Sequence, residues 1–262
     1  MNLKKMKRIR GLIQRPAARS RAVRPPCRTS LHVEVLESRA LLSFAAPVNY
    51  DTGASTPCVA VGDFNEDGIP DLVTATNGAT SSVTILSGRG DGTFVPSATI
   101  AVGRNVSFVA TGHLTTSGHL DLVVADSSNI FPGVWVLLGH GDGTFSAPVE
   151  YVTGLMPTSV AIGDLDGDGI PDLVVADSGR LANPQAGFCI LRGNGDGTFQ
   201  PAVTTRVGTM TNSVAIQDFN GDGTPDLVVT SSGNLFFGYQ GSINIFLGNA
   251  VAPFLALPLA WR

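Results

Sequence analysis

An eleven-residue pattern, DxxxDGxPDLV with an oxygen-bearing side chain at its third position, recurs three times in this chain: DFNEDGIPDLV at 63–73, DLDGDGIPDLV at 164–174 and DFNGDGTPDLV at 218–228. An eroded copy, HLTTSGHLDLV, occupies 113–123. The copies start at 63, 113, 164 and 218, about 50 residues apart. A period of that length marks an array in which each unit buries its apolar surface only against its neighbours. The chain is therefore constrained to a repeat fold, and function has to be sought in what such arrays do.

Each unit reads as four strands. In the third these are SVAIGD (159–164), DLVVAD (172–177), GFCILRG (187–193) and PAVTTRVG (201–208), with the acidic loop between the first two and the turn NGDGTF between the last two. The second strands, DLVTA, DLVVA, DLVVA and DLVVT, are continuous apolar runs, as expected when both faces of a strand are covered. Blades of a propeller, each sandwiched by its neighbours, supply that cover. The turns RGDGTF (89–94), HGDGTF (140–145) and NGDGTF (194–199) place Asp-Gly between apolar strands, a hairpin signal resting on tolerance of positive φ. The tripeptide Arg89-Gly90-Asp91 is read as part of that turn, because its equivalents begin with His140 and Asn194.

The loops have the chemistry of a calcium site. Calcium takes six to eight oxygen ligands at about 2.3–2.6 Å. Side chains at loop positions 1, 3, 5 and 9 and the carbonyl at 7 supply them: Asp63, Asn65, Asp67, Ile69 and Asp71 in the first; Asp164, Asp166, Asp168, Ile170 and Asp172 in the third; Asp218, Asn220, Asp222, Thr224 and Asp226 in the fourth. Gly68, Gly169 and Gly223 stand at position 6, where the chain must turn without a Cβ in the way. Position 12, the bidentate Glu of an EF-hand, is Thr74, Val175 or Val229 inside a strand, so the helical version is excluded. In the second loop His113, Thr115 and Ser117 replace the first three side-chain ligands and only Asp121 survives, so three calcium sites are expected and not four. His113, His119 and His140 all fall in that repeat and are read as drift, not as a metal cluster. The body offers the loop acids no obvious basic neighbours.

GTFSAPVEYVTG at 143–154 and VAIGDLDGDGIPDLVVAD at 160–177 resemble the FG-GAP and VCBS-type repeats of the integrin α-subunit N-terminal β-propeller family. The resemblance covers residues 44–249 and implies an all-β fold, a β-propeller of four blades, bound calcium and an extracellular adhesion-like role. The integrin propeller has seven blades, and this chain has four copies. FAAPVNYDTG at 44–53 matches FSAPVEYVTG at 145–154, so the domain opens on an outer strand with no blade before it, whereas the fourth repeat lacks its turn and outer strand. A clasp of the first strand onto the last blade would close the ring as a monomer; an open arc completed by a partner is the other solution.

Charge separates a leader from this body. Residues 1–46 hold 11 of the 17 Lys and Arg against two acids, a net +9, and the remainder nets −13, with 11 of its 19 acids inside the three intact loops. Residues 1–43 are expected to be a disordered basic leader, 44–249 the propeller and 250–262 an apolar tail. The leader has almost no aromatic side chains for stacking bases, so nucleic acid is not expected as a partner. Three scattered cysteines, Cys27, Cys58 and Cys189, define no disulfide framework. The longest apolar stretch, VAPFLALPLAW at 251–261, is too short for a transmembrane helix and carries two prolines. VEVLESRALLS at 33–43 resembles the Leu-Glu-Pro-Arg-x-Leu-Leu sorting motif of bacterial exported proteins, with Ser38 in place of proline. It implies an extracellular or cell-surface address, where millimolar calcium suffices for loops of modest affinity.

No nucleophile elbow, phosphate loop or HExxH motif is present. The expectation is therefore no enzyme but a calcium-binding structural or interaction module with a protein or glycan ligand. A carbohydrate-binding or polysaccharide-lyase-associated propeller is the alternative.

Overall fold

The computed structural model describes residues 46–248 apart from 53–54, 79, 131, 180–185, 209 and 234–239. The chain divides into two units, Met1–Pro47 and Val48–Arg262. The leader at 1–43, its sorting-like motif and the tail at 250–262 lie outside the described residues.

The described residues form fifteen strands and no helix, grouped in four antiparallel sheets. Sheet 1 comprises β1 (Ser55–Gly62), β2 (Asp71–Asn77), β3 (Ser82–Gly88) and β4 (Phe94–Ala101). Sheet 2 comprises β5 (Val106–Gly112), β6 (Asp121–Asp126), β7 (Gly133–Leu137) and β8 (Val149–Val152). Sheet 3 comprises β9 (Pro157–Gly163), β10 (Asp172–Asp177), β11 (Ala186–Leu191) and β12 (Val203–Gly208), and sheet 4 comprises β13 (Thr211–Gln217), β14 (Asp226–Ser231) and β15 (Ser242–Phe246). Each is a meander in chain order. The first strands neighbour one another in the series β1, β5, β9, β13, so the sheets stack as blades.

Three apolar cores lie between successive sheets. Ile85 and Val83 of sheet 1 meet Val109, Leu122 and Val124 of sheet 2; Val134 and Val136 meet Val160, Leu173 and Val175; Phe188, Val174 and Ala176 meet Val214, Leu227 and Val229. The side chains of β6 and β10 are buried throughout, as continuous apolar runs require. Burying a side chain such as Phe188 contributes roughly 1.5–3 kcal/mol, so these interfaces carry the fold.

The ends of the stack behave differently. Val59 of β1 is 56% exposed, whereas its structural equivalents Val109, Val160 and Val214 are 2%, 5% and 6% exposed. At the other end Ile243 and Ile245 of β15 are exposed, although their equivalents Phe188 and Ile190 pack into the third core. Sheet 4 has three strands among the described residues, so the pairing of residues 44–53 with it is not observed. Residues 46–52 form no strand, and Tyr50 is the counterpart of Tyr151 in the repeated sequence. Its ring meets Phe94 edge-on at 5.9 Å, as Tyr151 of sheet 2 meets Phe199 of sheet 3 at 5.5 Å, and its hydroxyl accepts a hydrogen bond from the Phe94 amide.

Candidate metal centre

The acidic loops join the first two strands of each blade and are built largely from their own backbone. In loop 1 Asp63 accepts the amides of Asp67 and Gly68 at 3.2 and 2.8 Å, Asn65 accepts that of Asp67, and Asp67 accepts that of Ile69 at 2.8 Å. Loop 4 differs by one donor: Asp218 accepts from Gly221 and Gly223, Asn220 from Asp222, and Asp222 from Thr224. In loop 3 Asp164 accepts from Gly167 and Gly169, and Asp168 from Ile170. These short-range bonds curl the loops and hold the amides of Ile69, Ile170 and Thr224, whose carbonyls are the position-7 candidates. The position-6 glycines have φ of 82°, 84° and 84°, the left-handed region that only glycine enters without strain. Backbone donation from Thr224 holds the Asp222 carboxyl below its usual range.

In loop 3 Asp164, Asp166 and Asp172 each offer a carboxylate oxygen, and the three oxygens lie within 4.8 Å of one another. Two oxygens on one calcium are at most about 5 Å apart, so this donor set fits a single calcium ion. Asn65 and Asn220 take the place of Asp166 in loops 1 and 4, where the remaining ligand types are the same and the bonds from the position-6 amide to the position-1 Asp and from the position-7 amide to the position-5 Asp recur. Burial, with a smaller push from the Asp166 charge, raises the Asp172 carboxyl against backbone donors that lower it.

The position-9 aspartate does more than offer a ligand. Asp71, Asp121, Asp172 and Asp226 are all buried. Each accepts the amide of position 2 (Phe64, Leu114, Leu165, Phe219) on one oxygen. The other oxygen accepts the amide of a glycine at the end of the third strand: Gly88, Gly139, Gly193 or Gly248. Asp121, which the sequence presents as the last ligand of an eroded loop, is thus a latch between loop and hairpin, with both bonds at 2.8 Å.

Sequence reasoning passed over a second buried carboxylate at the far end of the second strand. Asp126 accepts amides from Arg104, Asn105 and Ser128, and Asp177 accepts from Leu155, Met156 and Gly179. Both tie the second strand to the segment entering its own blade. The signal was present in the repeated DLVVAD, where the final Asp interrupts an apolar run.

The turn aspartates Asp91, Asp142 and Asp196 each accept the amide and hydroxyl of Thr93, Thr144 or Thr198. Those bonds, the hydroxyl's first, hold the three carboxyls below their ordinary 3.8. The positive φ falls on the flanking glycines, not on Asp, so the hairpin is a wider turn than a two-residue Asp-Gly connection. The Arg-Gly-Asp tripeptide belongs to this turn.

The histidines do not converge on a metal site. His113 Nδ1 bonds the His119 carbonyl, and His119 Nδ1 meets Glu66 of the neighbouring loop at 2.5 Å. His140 sits exposed in the hairpin turn. Among the described residues Asp164, Asp166 and Asp172 are the one group of three or more such ligands. The expectation of no basic neighbours fails twice, at the His119–Glu66 pair and at Arg192, whose Nη1 lies 2.5 Å from Asp166 Oδ2. Cys58 and Cys189 are free thiols.

Stacked antiparallel meanders of three or four strands, each with a polar loop after its first strand, are consistent with the blades of a propeller-like repeat fold. A family model described as an FG-GAP-like repeat matches residues 63–112, 113–175 and 178–229, and the chain belongs to that family. The first match runs from the loop of sheet 1 through β5, the first strand of the following blade, and the second and third end within β10 and β14, the second strands of theirs. No curated protein sequence matches the chain. Among solved structures it is similar to the Vibrio cholerae biofilm matrix protein Bap1, at 16% identity and a TM-score of 0.38, over 76% of this chain and 40% of that one. No helix among the described residues is long and apolar enough to cross a membrane.

Proposed function

We propose that this chain is a calcium-stabilised propeller-type module of the cell exterior, acting in structure or adhesion without catalytic turnover. The observation that carries the reading is the convergence of Asp164, Asp166 and Asp172 on one small volume, within a loop whose backbone curl recurs in loops 1 and 4. Asp63, Asn65, Asp67, Ile69 and Asp71 would hold a first ion; Asp164, Asp166, Asp168, Ile170 and Asp172 a second; Asp218, Asn220, Asp222, Thr224 and Asp226 a third. A bound ion supplies charge neutralisation to clustered carboxylates and crosslinks each loop. The extracellular address rests on the sorting-like motif and on the calcium economy of such loops, and the interaction role on exposed blade faces at both ends of the stack.

Calorimetric titration of the whole chain tests this, with three calcium ions bound and Asp168→Ala binding two. An ion at a hundredfold excess over its dissociation constant stabilises the native state by about 2.7 kcal/mol, so chelator should lower Tm. A melting curve indifferent to chelator refutes the calcium reading. Incubation with polysaccharides and phosphoesters tests the absence of turnover; product formation lost on substituting His113 or His140 would refute it.

A further inference from the structure

Loop 3 differs from the other two intact loops in two ways that go together. It is the one with a carboxylate at position 3, Asp166, where loops 1 and 4 have Asn65 and Asn220. Its blade also has an arginine, Arg192, immediately before the glycine that the position-9 aspartate holds; the equivalents in the other blades are Ser87, Leu138 and Leu247. Leu173 pairs with Leu191 across β10 and β11, which places Arg192 opposite Asp172 and its side chain beside the loop. The guanidinium pairs with Asp166, with 39% of the Arg192 side chain and 19% of the Asp166 side chain exposed.

Given the calcium reading above, on which this rests, we infer that Arg192 is a built-in counter-cation of loop 3 that an incoming calcium ion must displace. Four aspartates would otherwise make loop 3 the tightest of the three sites, since affinity rises with ligand charge. Arg192 offsets the additional charge, lowers affinity and organises the loop in the absence of metal. An arginine cannot shed its proton to make way, so the ion has to break the pair and then bear the nearby positive charge.

Titration of the full-length protein and of Arg192→Leu, which installs the residue of blades 2 and 4, tests the inference. One of the three affinities should rise by up to about fivefold, as expected for release of one partly exposed ion pair, and two should stay unchanged. Arg192→Ser should behave like the leucine variant and Arg192→Lys like the parent. In an Asp166→Asn background the effect of Arg192→Leu should shrink, because the pair is already gone. Melting supplies the second readout: Arg192→Leu should lower Tm in chelator and raise it in calcium. Unchanged affinities in both variants, or a Tm that falls alike with and without calcium, overturns the inference while leaving the calcium reading standing. If the parent protein binds no calcium at all, the calcium reading fails first and the inference with it.

Discussion

The eroded second loop isolates the structural role of the position-9 aspartate from any metal, so Asp121→Asn is the most informative single substitution. Asp121 is fully buried and accepts the Leu114 and Gly139 amides, each at 2.8 Å. Asparagine keeps the shape but offers one acceptor oxygen, so its amide group must face one of the two donors and leave a buried N–H unpaired. Losing a hydrogen bond to a charged group costs about 1.5–3 kcal/mol, and an unsatisfied buried donor about 1–3 kcal/mol. These overlap, and about 3 kcal/mol is the working figure, a large part of a stability of about 5–15 kcal/mol. For a domain of this size that lowers Tm by roughly 6–12 °C. Differential scanning calorimetry of parent and variant, each in calcium and in chelator, reads it. The drop should be the same in both conditions, because the latch works without an ion. A drop confined to calcium would mean that Asp121 serves as a ligand after all, and no drop would refute the latch.

Other consequences can be checked in the same way. Gly154→Ala should be strongly destabilising, or fail to fold, because its Cβ would lie 1.8 Å from Oδ2 of the Asp177 that anchors this entry segment; a melting curve like the parent's would contradict the packing at that anchor. The turn carboxyls of Asp91, Asp142 and Asp196 are depressed in the folded state, so their stabilisation is complete above the ordinary 3.8 and is lost as pH falls through the lowered values. Asp196→Asn should accordingly flatten part of the acid limb of Tm against pH and change little near neutrality, apart from any constant loss of the turn bond. Burial pushes the Cys189 thiol up to about 12, so alkylation of Cys189, followed by mass spectrometry, should require unfolding; rapid labelling of the native protein would refute its placement in the second core.

Much of this protein is readable from the chain alone because its decisive interactions are short-ranged. The curl of each loop is made by aspartates bonding amides two to five residues ahead, and glycine supplies the left-handed turn at the sixth position, so DxDGDG-type spelling suffices to specify it. The second strands announce their two-sided burial as unbroken apolar runs, and the repeat distance announces the stack. Tertiary structure decided what depends on strand register and on neighbours. Asp121 looks like a relic until β6 and β7 bring Gly139 beside it, 18 residues away. Asp126 and Asp177 are strand-end acids in the sequence and become anchors only when the segment 21 or 22 residues earlier returns to them. Val59 and Val109 occupy the same place in the repeat, yet one is exposed and the other buried, because burial of a blade face is set by whether another blade lies against it. Arg192 reaches Asp166 across 26 residues by the same logic: composition names the charges, and only the pairing of strands decides which of them meet.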